Sequence, residues 1–75
     1  MEKRASVYVT IDREKVRKLM IGKGFTTAEV VRRSGLSRNS VTRILNGSVR
    51  RHLASTARRL TTALDVAVEE IVKEV

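Results

Sequence analysis

The apolar positions of this 75-residue chain change period once. Val7, Val9 and Ile11 alternate with Tyr8 and Thr10, the two-residue period of a strand. Beyond residue 11 the signals are those of helices. Asp12 stands as an N-cap between Ile11 and Val16, a pair spaced to staple the entering chain. Thr26 repeats the arrangement with Phe25 and Val30, and Glu29 at the third helical position predicts a capping box. Ser37 does so again between Leu36 and Val41. Gly24, Gly35 and Asn46-Gly47 fall where these helices must stop, and all accept the left-handed C-cap conformation.

Two further helices are expected. Ala57, Leu60 and Leu64 have helical spacing over about 55–64. A fifth helix is predicted from about Ala67, stapled by Val66 and Ile71, with Glu69 and Glu70 at the positive end of its dipole. The fold class is therefore all-α, a compact five-helix domain over 12–75 preceded by a short strand or arm over 1–11. A lone strand leaves its backbone donors and acceptors unpaired. Two readings stay open: the strand pairs with a second copy of the chain, or it is a solvated arm. Val72 and Val75, extending the apolar side of the fifth helix, offer a second surface for a homodimer.

Composition narrows the function. A chain this short buries only about 60% of its unfolded surface, too little for a deep substrate cleft beside a core, so no enzyme is expected. There is no Cys and a single His, His52, so no thiolate or multi-His metal site is expected and no cofactor is implied. No apolar run approaches the length of a secretory or membrane segment. A cytoplasmic, nucleoid-associated location is the expectation. The net charge is +8, and its distribution says more than its size. Residues 15–64 hold twelve Lys and Arg against Glu29 alone, between a balanced start and an acidic end. A basic centre suits a polyanion. A membrane surface is not favoured, since Tyr8 and Phe25 are the only aromatics.

Only Ser34-Gly35-Leu36 joins the second and third helices, which forces a sharp angle between them. That is a helix-turn-helix pattern over about 26–46. Helical periodicity turns Val30, Val31, Val41, Ile44 and Leu45 inward and leaves Arg38, Asn39, Thr42, Arg43 and Asn46 outward. These types match base edges: Arg reaches guanine O6 and N7, Asn reaches adenine N6 and N7, and the Thr methyl meets that of thymine.

The string from Phe25 to Gly47, with Gly35, Leu36, Ser37, Val41, Ile44 and Asn46-Gly47 in register, resembles the lambda-repressor and Cro-like (XRE-type) helix-turn-helix family. The tail from Ala57 to Ile71 looks like that family's fourth and fifth helices, so the resemblance covers Val16 to Val72. It implies that Arg38, Asn39, Thr42 and Arg43 enter the major groove of double-stranded DNA while Thr27 and Asn46 hold phosphates. Arg50 and Arg51, in the following loop, would add phosphate contacts, whereas the helix carrying Arg58 and Arg59 more often faces away. Three departures stand out: Val31 where the family prefers Ala, Asp65 where it often has Gly, and no Pro before the fourth helix.

The expectation is a sequence-specific transcription regulator, a repressor, acting as a homodimer on an inverted repeat. Its rival is the antitoxin of a toxin–antitoxin pair, using the same fold on DNA and an acidic, apolar C-terminal helix on a toxin protein. An RNA-binding or adaptor module is a third reading. Gly22-Lys23-Gly24 lacks the upstream glycine and following hydroxyl of a phosphate loop and reads as a helix end. Met20 reads as core, and His52 as a loop or cap residue.

Overall fold

A computed structural model describes residues 7–49 and 51–73. Four helices, α1 (Arg13–Lys23), α2 (Thr27–Ser34), α3 (Arg38–Asn46) and α4 (Ala54–Leu64), follow the strand β1 (Tyr8–Ile11). The strand β2 (Arg51–Leu53) lies between α3 and α4, and a 3-10 turn (Val68–Glu70) leads to β3 (Val72–Lys73).

The three expected N-caps form. Asp12 Oδ1 accepts from the N–H groups of Glu14 and Lys15 at 3.1 and 3.4 Å. Thr26 Oγ1 accepts from Glu29 N–H at 3.2 Å, and Ser37 Oγ from Ser40 N–H at 3.1 Å. Gly24, Gly35 and Gly47 take the left-handed conformation at the three C-caps. Asp65 takes it too, at φ 62°, and closes α4 where a glycine would be unstrained. The capping box forms by half: Glu29 directs its carboxylate to Arg32 and Arg33 rather than back to the cap, because two guanidiniums one turn away are the stronger donors.

The core gathers one stripe from each helix: Val16 and Met20, Val30, Val41 and Ile44, and Ala57, Leu60 and Leu64. The expected inward set divides, with Val30, Val41 and Ile44 buried and Val31 and Leu45 half-buried against the core. α2 packs on α3 and α4, and α1 on α3.

Two expectations are corrected. The fifth helix is absent among the described residues; Val68–Glu70 make a single 3-10 turn, after which the chain extends. Ile71 is fully buried, its carbonyl accepts from Asp12 N–H at 2.7 Å, and Val72 pairs with Ile11. Tertiary pairing, with β-branched residues that favour extended backbone, overrides the local helix signals. The strand is also not alone. β1 is the centre of a three-stranded antiparallel sheet ordered β2-β1-β3, paired Tyr8 with Leu53, Val9 with His52, Thr10 with Arg51 and Lys73, and Ile11 with Val72. It pairs within the chain, with β2 over residues 8–10 and with β3 over residues 10–11, so a second copy is not needed to give it a partner strand and it is not a solvated arm. Val75, the other residue of the proposed dimer surface, lies outside the described residues.

Candidate nucleic-acid interface

α2 and α3 are set at their angle by a turn with a fixed hydrogen-bonding pattern. Gly35 stands at φ 74° and its N–H donates to Val31 carbonyl at 3.1 Å. Leu36 N–H donates to the buried Ser34 Oγ at 3.1 Å, and Ser37 then starts α3. With Val41 and Ile44 buried on one side, the outer side of α3 presents two columns at four-residue spacing: Arg38, Thr42 and Asn46, and Asn39 and Arg43. All five are exposed. No described residue holds the side chains of Arg38, Asn39, Thr42 or Arg43 in a hydrogen bond or ion pair, so their donors and acceptors face outward.

The residues expected to hold phosphates separate into two places. Asn46 and Arg51 line one groove of about 860 Å³ between the end of α3, the start of α1 and the sheet. Thr27, half-buried at the start of α2, lines a smaller hollow of about 300 Å³ beside Ile21 and Phe25. Both border α1 and the C-terminal half of α3, the larger extending to the sheet and the smaller to the start of α2. Asn46 Oδ1 accepts from Ser48 N–H at 3.0 Å, which leaves its amide N–H groups to donate. Arg50 lies outside the described residues.

Sequence reasoning missed a clamp on α3. Arg13 Nη1 donates to Asn46 carbonyl at 2.9 Å, and Arg17 Nε and Nη2 donate to Leu45 carbonyl at 3.2 and 3.1 Å. These carbonyls end a helix and carry its negative dipole end, so two cations there both satisfy and stabilise them. The only hint in the sequence was the spacing of Arg13 and Arg17 one turn apart, which a count of charges does not register.

Not every cation of the basic centre is available to a ligand. The Glu29 carboxylate accepts from Arg33 Nε at 2.6 Å and from Arg32, and Arg33 lies 4.4 Å from the Phe25 ring centroid. The Arg33 hydrogen bond, with the charges of Arg32 and Arg33, holds the Glu29 carboxyl below its ordinary pKa. On α4, exposed Arg59 reaches toward the turn, its guanidinium 3.7 Å from where a Cβ on Gly35 would stand.

This architecture, a capped helix held by a tight turn across a second one with hydrogen-bonding side chains outward, defines a helix-turn-helix protein. Residues 15–74 match the Cro/C1-type HTH DNA-binding domain, and the chain belongs to that family. The crystal structure of the restriction-modification controller protein C.AhdI from Aeromonas hydrophila is similar, with 28% identity and a TM-score of 0.71 over 77% of this chain and 86% of that one. A mutant hydroxyethylphosphonate dioxygenase matches with a TM-score of 0.71 at 23% identity, covering 87% of this chain and 14% of that one, a likeness of fold alone. No curated protein matches. No described helix is long and apolar enough to cross a membrane.

Proposed function

We propose that the protein binds double-stranded DNA in a sequence-specific manner and regulates transcription, with α3 in the major groove. Arg38, Asn39, Thr42 and Arg43 read base edges, and Thr27, Asn46, Arg50 and Arg51 hold phosphates. The observation that carries this reading is the outer face of α3, where four side chains with base-matching chemistry are unengaged on a helix whose other face is locked into the core. Similarity to a protein described as a restriction-modification controller supports a regulatory role.

The regulatory output is repression, because a domain seated on base pairs excludes other proteins from them. One helix reads only a few base pairs, so specific binding calls for a homodimer on an inverted repeat, with half-sites about 34–36 Å apart. The end of the sheet away from Lys73 offers an apolar surface for it: Tyr8 and Leu53, cross-strand partners, are both exposed beside Val7. The alternative is an antitoxin using the same fold on DNA; the segment after α4 expected to bind its toxin protein is, among the described residues, a 3-10 turn and a strand rather than a helix.

Selection of duplexes from a random pool tests the proposal. Enrichment of one inverted repeat is expected; a pool unchanged after repeated rounds would overturn specific readout, and a single unpaired half-site would overturn the dimer.

A further inference from the structure

We propose that the DNA-contacting surface continues past the helix-turn-helix onto the outer face of the sheet, where a cationic groove takes the phosphate backbone as it leaves the C-terminal end of α3. This rests on the DNA-binding reading above and extends it to residues outside the motif.

The sheet register builds the groove. Thr10, on the central strand, pairs with Arg51 on one side and Lys73 on the other, and directly paired residues project to the same face. Arg51, Thr10 and Lys73 therefore form one row across all three strands. The opposite face carries Val9, Ile11 and Val72 against the core, which fixes the cationic row outward. The row forms one wall of the groove of about 860 Å³; Arg13, Lys15 and Lys18 from α1 line it as well.

Asn46 and Gly47 at the end of α3 line the same groove, so it opens directly from the recognition helix. Five cations face two carboxylates there, Asp12 and Glu14, and Asp12 already accepts from its own helix N-terminus. Lys15, Lys18, Arg51 and Lys73 make no ion pair with any described residue. Unpaired ammonium and guanidinium groups from a helix and two edge strands, lined up beside the end of a DNA-reading helix, match a run of successive phosphates. Because such contacts carry no base information, they act on every duplex alike.

The test measures binding of a random-sequence 30-base-pair duplex across a potassium chloride series, for the whole chain and for Lys18→Ala, Lys73→Ala and Lys23→Ala. Lys23 ends α1 away from the groove and controls for net charge. Lys18→Ala and Lys73→Ala should each weaken binding severalfold and flatten the slope of log K against log salt by about 0.9, with thermal midpoints unchanged. Lys23→Ala should do neither. If all three variants behave alike while the parent binds with a steep slope, the groove proposal falls and the DNA-binding reading stands. If the parent does not bind the duplex, both fall.

Discussion

Arg13 and Asn46, thirty-three residues apart, are joined by a 2.9 Å hydrogen bond from the guanidinium to the backbone carbonyl at the end of α3. The bond fixes where α3 ends relative to α1. The next residue is the left-handed cap Gly47, at φ 72°, where a Cβ would also come within 3.1 Å of Arg13 Nη1 and 3.2 Å of its Cδ. Gly47→Ala should therefore destabilise the domain by about 1 kcal/mol or more, chiefly through the left-handed backbone. Arg13→Ala, which removes an exposed cation from a helix C-terminus, should cost about 0.3–1 kcal/mol. Denaturant titration of both variants checks the order.

The C-terminal segment belongs to the core. Ile71 is fully buried and its backbone ties β3 to the start of α1. Ile71→Ala should cost about 2–5 kcal/mol, as for other large-to-small changes in a packed interior. A loss below about 1 kcal/mol in chemical denaturation would mean that this segment does not pack as described.

Asp65 carries the one positive φ among the described non-glycine residues. Its N–H and that of Val66 already close α4 by donating to Thr62 and Thr61 carbonyls at 3.2 and 3.1 Å, so the backbone alone makes the cap. Asp65→Gly removes the steric cost of the left-handed conformation and adds unfolded-state entropy. The net expectation is a stabilisation of about 0.5–1 kcal/mol, read as a rise in thermal midpoint.

Much of this was legible in the chain, for reasons that differ by element. The starts and stops of α1, α2 and α3 depend on residues within one turn of each end, and Asp12, Thr26, Ser37 and the glycines declare them. The alternation of Val7, Val9 and Ile11 announced β1, but its partners are too short to alternate: three residues in β2 and two in β3. Pairing across sixty residues is decided by the packed core and has no local signature. The same limit produced the expected fifth helix. Val66, Ile71 and the two glutamates satisfy every local rule for a helix start, and only the buried position of Ile71 and its bond to Asp12 draw the chain straight. On the site, the outward face of α3 followed from periodicity. The Arg13 and Arg17 clamp did not, because an Arg counted as charge looks the same in solvent or on a carbonyl.

The Glu29 ion-pair cluster gives a pH signature. Arg33 and Arg32 hold the Glu29 carboxyl below the ordinary glutamate value of 4.5, so the folded state binds this proton less readily than the unfolded one. Its stabilising effect is therefore fully present above pH 4.5 and lost as pH falls through the lower folded value. Thermal midpoints of the parent and Glu29→Gln should differ at pH 7 and converge in acid. Parallel curves down to strong acid would contradict the assignment.

The central claim is that α3 reads base sequence, and the most direct test is the ratio of affinities for the selected duplex and a random one in Asn39→Ala and Arg43→Ala. Each truncation should cost about 1–3 kcal/mol on the selected duplex and relax preference at particular base pairs, with little effect on the random duplex. Arg51→Ala, at a position proposed to hold phosphate, should weaken both duplexes and leave the ratio unchanged. If Asn39→Ala and Arg43→Ala both keep the parental ratio, α3 is not the reading helix.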